Sequence, residues 1–209
     1  MYVIRDNNLR VEMESVLKRH RTVELEYDDM KLRYMSDGGK IKTILMGFVN
    51  LANFISYDAG DHYRRSIITF AIPEGIDIIG PLFYECFGGI KKIEGKFIDR
   101  VELPDSCEEI WDYAFYGCDN LERITWKNVK KIGYRALLHT LISQNDIPFH
   151  IQTESQVCRN NDNGRRPTDD KEYVEYKISG QWVRYSVKDI ISKDKEDCSM
   201  RARVRMRII

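Results

Sequence analysis

LPDSCEEIWDYAFYGCDNLERITWKNVKKIGYRAL, residues Leu103 to Leu137, reads as one unit followed by the start of another. Apolar residues flank a Pro-acid turn, a further apolar residue closes it, and a short aromatic-and-small segment ends at Cys118. Upstream, FAIPEGIDII (Phe70 to Ile79) aligns without gaps on VELPDSCEEI (Val101 to Ile110). That alignment sets Ile72 on Leu103, Pro73 on Pro104, Glu74 on Asp105 and Ile79 on Ile110. FYECFGGIKKI (Phe83 to Ile93) then matches FYGCDNLERI (Phe115 to Ile124) with one extra residue, and a shorter third copy takes Ile124, Trp126, Val129 and Ile132 as its apolar positions.

One such unit cannot bury its apolar side alone, so consecutive copies must stack and share a core. Strands are predicted at Phe70 to Ile72, Val101 to Leu103 and Ile124 to Trp126, lying parallel. Phe83, Phe115, Ile90, Leu121, Ile93 and Ile124 are expected inside, and the pattern is expected to end beyond Leu137.

With its proline turn, Ile132-Gly133, Ala114-Phe115 and Cys118-x-x-Leu121, the run resembles the BspA-type leucine-rich repeats, over about residues 67 to 137. The resemblance implies a short solenoid that binds proteins or other macromolecules through an exposed face and carries no catalysis. Three departures stand out: Trp111 where glycine is usual, Pro81 directly after Gly80, and the lengthening segment Glu94 to Arg100. Three copies are also few beside the long arrays of the family's cell-surface members, so no adhesive role is carried over.

Trp111, Tyr113, Tyr116 and Trp126, with Tyr134 beside them, are the candidate partner-binding residues, because Trp and Tyr are enriched at binding hot spots. The competing reading packs them between turns of the stack. Cys86 and Cys118 recur at equivalent places, which fits small buried apolar residues better than ligands.

Upstream of the repeats, Leu9 to His20 fits a short amphipathic helix. Val23 to Met35 alternates with period two on either side of Asp28-Asp29, and Ser36 to Gly39 supplies a second turn, so two or three antiparallel strands are expected. Ile44, Leu45, Phe48, Val49, Leu51, Ala52 and Ile55 then recur at helical spacing and predict a mostly buried helix. Downstream, Thr153 to Asp170 is polar and rich in turn formers, which predicts a linker or mobile loop. Tyr173 to Val187 reads as a hairpin about Ser179-Gly180, and Ser186 starts a short helix.

In the last ten residues Met200, Ala202, Val204, Met206 and Ile208 alternate with Arg201, Arg203, Arg205 and Arg207. Strict alternation predicts a strand presenting a row of guanidinium groups about 7 Å apart. That row would meet an acidic partner or nucleic acid, or else neighbouring carboxylates such as Glu172 and Glu175.

Thirty-three basic and thirty-three acidic residues cancel in this 209-residue chain, so any charged partner must be met by a local patch. The longest apolar run, Ile44 to Tyr57, falls short of the ~20 residues of a membrane span. No secretory pattern and no Asn-x-Ser/Thr sequon is present, which points to a cytoplasmic protein. Five scattered cysteines and four scattered histidines show no metal-ligand or disulfide spacing, and no phosphate loop, nucleophile elbow or acid/base dyad appears. No catalytic residue, cofactor or metal is therefore expected.

The expected fold class is α+β, divided into an N-terminal α/β cap (1 to 66), a leucine-rich-repeat stack (67 to 140), a linker (141 to 170) and a small basic unit (171 to 209). The expected function is non-enzymatic: binding of a protein partner through the repeat surface, with the C-terminal arginines for an acidic partner. The alternative is a nucleic-acid-binding or phage and mobile-element regulatory protein, such as an inhibitor or adaptor of a nucleic-acid enzyme.

Overall fold

The fold is described from a computed structural model, for residues 22 to 58, 67 to 82, 97 to 159 and 163 to 190 together with Leu17. Their regular elements are mostly strands. β1 (Thr22–Tyr27), β2 (Met30–Asp37) and β3 (Lys40–Phe48) form an antiparallel meander. Its first turn places Asp28 and Asp29 at positive φ (46° and 63°), and its second places Gly38 and Gly39 there (57° and 84°). Two consecutive left-handed residues make the tight turn whose twist matches paired strands, which is why Asp-Asp and Gly-Gly were legible as hairpins.

A single turn of 3-10 helix (Leu51–Phe54), capped by the Asn50 side chain accepting the Ala52 N–H at 3.2 Å, leads into β4 (Ile55–Asp58). The helix expected over Ile44 to Ile55 is therefore corrected to β3 plus this turn. Ile44 and Leu45 are adjacent and both fully buried, so the segment is covered on two faces, and its apolar run mimics helical spacing. The described part of the N-terminal region consists of β1 to β4 and the 3-10 turn; the helix expected at Leu9 to His20 lies outside the described residues apart from Leu17, which is helical.

The repeats build two ladders. In the first, β5 (Ile67–Ala71), β7 (Arg100–Glu102) and β9 (Arg123–Thr125) pair in parallel, with Phe70, Val101 and Ile124 in register. This is the alignment read from the sequence. β4 closes one edge of that sheet antiparallel to β5. In the second, β6 (Ile78–Ile79), β8 (Glu109–Ile110), β10 (Lys131–Ile132) and β11 (Gln152–Thr153) pair in parallel, with Ile79, Ile110, Ile132 and Thr153 in register. Between the ladders Ile76, Cys107, Val129 and Ile151 are buried, as are Phe115 and Leu121. Phe83, Ile90 and Ile93, also expected inside, lie outside the described residues.

The position just after each strand of the second ladder is occupied in turn by Gly80, Trp111, Gly133 and Glu154. Each donates its N–H to the preceding rung: Gly80 to Leu45, Trp111 to Ile79, Gly133 to Ile110 and Glu154 to Ile132, at 2.8 to 3.0 Å. A Cβ on Gly80 would fall 2.7 Å from the Leu45 carbonyl oxygen, and one on Gly133 only 2.3 Å from Asp112 Oδ1 and 2.5 Å from Asp112 N. Trp111 and Glu154, the two that carry side chains, each follow a rung with glycine.

The repeat does not stop at Leu137. β11 continues the ladder, Leu137 donates its N–H to the Val157 carbonyl at 2.8 Å, and Ile142, Ile147, Ile151, Val157 and Cys158 are buried. The segment expected as a linker is instead a fourth turn of the stack followed by β12 (Arg165–Pro167). Its polar composition misled because, in short rungs, a few apolar anchors spaced several residues apart close the core.

β12 is antiparallel to β11, and β13 (Tyr173–Ile178) with β14 (Gln181–Ser186) completes the sheet as the hairpin expected about Ser179-Gly180. The long sheet thus runs β1-β2-β3-β6-β8-β10-β11-β12-β13-β14, ten strands with antiparallel ends around a parallel middle. The C-terminal hairpin extends the sheet of the repeats. Residues 187 to 190 are helical, and the strand expected at Met200 to Ile208 lies outside the described residues.

At the junction of stack and hairpin Arg165 is completely buried. Its guanidinium donates to the carbonyls of Ile147 (3.2 Å), Pro148 (2.8 Å) and Ile151 (3.2 Å) and lies 5.2 Å from the centre of the Phe149 ring. Ile151 stands where Asp77, Glu108 and Lys130 stand in the earlier rungs, whose carbonyls each accept an N–H from the next rung; here the Arg165 side chain supplies that donor.

Candidate functional site

The turns that leave the second ladder stack as well. Tyr113, Arg135 and Gln156, each the third residue after its strand, all adopt positive φ (60°, 53° and 54°). A non-glycine residue pays for that conformation. Three at one repeat position mark a shared turn that swings the chain back and turns these side chains outward. The stacked turns are joined by N–H donation from Tyr113 to Tyr134, Phe115 to Ala136 and Gly117 to Leu138, at 2.8 to 3.0 Å. Ala114, Phe115, Ala136 and Leu137 fill the interior, while the flanking Tyr113, Tyr116, Tyr134 and Arg135 are only partly covered.

What surfaces is a ridge of rings. Tyr113 meets Tyr116 (centroids 5.8 Å) and Tyr134 (5.7 Å, planes at 84°), while Tyr116 meets His139 (5.3 Å, 86°). These edge-to-face contacts fix ring orientation across two copies. The Arg135 guanidinium lies 4.9 Å from the Tyr134 centroid. Gln156 Oε1 accepts from Tyr134 Oη (3.1 Å) and from Arg135 Nε (3.0 Å), tying the ridge to the fourth turn. Asp112 Oδ1 accepts the Tyr134 N–H at 2.7 Å. His139 is exposed and the three tyrosines are half-buried.

Of the four aromatics singled out in the sequence, Tyr113 and Tyr116 stand in this ridge, and Trp111 lies two residues before Tyr113, half-buried. Trp126 does not join it. It packs on the core at the other end of its unit, and its Nε1 donates to the Asp146 carbonyl at 3.0 Å. Arg201, Arg203, Arg205 and Arg207 lie outside the described residues. Arg135, His139 and Gln156 were missed as site residues; the repeat offset from Tyr113 was the signal that could have found Arg135 and Gln156.

The ridge can offer flat ring edges, phenol hydroxyls and one guanidinium to a partner. Among the described residues no cluster of three or more His, Cys, Asp or Glu is arranged to hold a metal ion. Burial pushes the Cys107 and Cys158 thiols up to about 12, and that of Cys118 up as well, so all three are neutral thiols that pack the interior. No described helix is long and apolar enough to cross a membrane.

Residues 94–163 match the family model described as "BspA type Leucine rich repeat region (6 copies)". Among solved structures, a leucine rich cell surface protein from Faecalibacterium prausnitzii A2-165 shares 17% identity over 56% of this chain, with a TM-score of 0.35. The aligned part spans 28% of that longer protein. No curated protein matches the chain.

Proposed function

We propose that the chain is a non-enzymatic binding scaffold that holds a protein partner on its tyrosine ridge, a reading supported by the match of residues 94–163 to the BspA-type leucine-rich-repeat model. The observation that carries this is the run of Tyr113, Tyr116, Tyr134 and His139 in successive edge-to-face contact. Rings already fixed by one another lose little further freedom on binding, which is why such residues serve as anchors. The flanking Arg135 and Gln156 supply directional polar contacts.

The test compares the intact chain with Tyr113→Ser and Tyr116→Ser in affinity capture followed by mass spectrometry, then measures the affinity of a captured protein by titration. Loss of an anchor is expected to cost about 2 kcal/mol or more, roughly thirtyfold in Kd. Equal affinity for both variants, with folding unchanged, rejects the ridge as the contact.

A second reading is favoured by one observation in the sequence, the alternation of Arg201, Arg203, Arg205 and Arg207. Four phosphate contacts on duplex DNA would give a log-log salt slope of about 3.6 in magnitude. Binding that is absent, or indifferent to salt and to Arg→Ser replacement, removes nucleic acid as the partner.

A further inference from the structure

The ten-stranded sheet has two ends, and they differ. β1 carries Glu24 and Glu26 on exposed positions, where two carboxylates on one short strand oppose pairing with a copy of itself. β14 has one charge, Arg184, and exposes Trp182 (37%), Val183 (38%) and Tyr185 (38%). Among the described residues no strand pairs with the outer edge of β14. Such an edge presents a row of backbone donors and acceptors to any strand that can match it.

The hairpin is stiffened on both faces. On one, Arg166 stacks over Trp182 (4.1 Å), Arg184 stacks over Tyr173 (4.3 Å), and Arg166 Nε donates to Glu175 at 2.7 Å. On the other, Tyr185 meets Tyr176 edge-to-face with centroids 5.6 Å apart. The edge is therefore ordered before any partner arrives, which lowers the entropic cost of adding a strand.

We propose that β14 is a self-association edge, at which two copies of this chain pair their β14 strands antiparallel about Val183 and join their long sheets. The register follows from strand geometry. Backbone groups point outward at alternate residues, so an antiparallel pair of identical edges must align residues of equal parity, and one residue falls on its own copy. Centring on Arg184 sets two guanidinium groups opposite each other, which is repulsive. Centring on Trp182 leaves Arg184 opposite Gly180 and shortens the overlap. Centring on Val183 sets Val183 on Val183, Trp182 opposite Arg184 and Gln181 opposite Tyr185, so five residues of β14 overlap, as many as in the Arg184-centred register, and here each cation meets an indole. A two-fold pairing of this kind closes at the dimer. A six-residue edge is small beside the roughly 1,200 Å² of a standard interface, so the dimer should form in a concentration-dependent way.

Sedimentation equilibrium on the full chain over a wide concentration range tests this, with circular dichroism as the check on folding. The intact chain is expected to pass from monomer to dimer. Val183→Glu and Val183→Lys each set like charges across the two-fold and should weaken the dimer about tenfold or more, while an equimolar mixture of the two should restore it as a mixed pair. A chain that stays monomeric at every concentration overturns the proposal. So does a dimer that neither substitution weakens, or a mixture no more associated than its components.

Discussion

Replacing Arg165 by Met keeps most of the volume and removes the cap on the fourth turn. The Pro148 carbonyl also accepts the Ile151 N–H at 3.0 Å and keeps that partner, whereas the Ile147 and Ile151 carbonyls lose the guanidinium. A buried polar group left without its partner costs about 1 to 3 kcal/mol, giving roughly 2 to 6 for the two. Against this stands relief from burying a charge that faces no carboxylate among the described residues, a desolvation that also lowers the pKa of Arg165. A net loss of about 3 kcal/mol is expected, which for a domain of this size lowers Tm by roughly 6 to 12 °C. Urea and thermal unfolding followed by circular dichroism measure it. A shift below about 0.5 kcal/mol, the size of an ordinary surface change, would refute the view that one side chain stands in for a missing rung.

Gly133→Ala drives a methyl into the backbone and side chain of Asp112 and so disturbs the bond that orients Tyr134; a loss of about 1 to 3 kcal/mol is expected in the same unfolding assay. Cys107, Cys118 and Cys158 should resist alkylation in the native chain at pH 8 and react fully in denaturant, as read by peptide mass spectrometry. The raised Cys107 pKa also has a sign. Its contribution is complete below the ordinary thiol value of about 9 and is lost as pH rises toward about 12, so stability measured by urea unfolding should fall across that window, and a Cys107→Ala chain should lose that component of the fall.

Much of the fold was legible because the repeat states it more than once. Phe70 on Val101 and Ile79 on Ile110 were fixed by alignment before any coordinates, and both are ladder partners. The three tight turns at Asp28-Asp29, Gly38-Gly39 and Ser179-Gly180 carry residues that tolerate left-handed backbone, a local signal. β3 was misread because burial on both faces erases the period-two signature. The fourth turn was missed because Thr153 replaces the isoleucine of its predecessors and Gln156 stands where Tyr113 and Arg135 stood, so position in the stack survives where residue type does not. For the same reason the ridge was half visible: Tyr113 and Tyr116 attract notice as aromatics, whereas Arg135 and Gln156 become site residues only through the turn they share with Tyr113.

The alternation of Gly80, Trp111, Gly133 and Glu154 along one rail limits how this chain can grow. Duplicating the Trp111 unit alone would set a tryptophan where Gly133 now passes Asp112, a place with no room even for a Cβ. Duplicating a pair preserves the fit. The natural increment of length is therefore two, and longer versions, whether evolved or engineered, should add turns by even numbers.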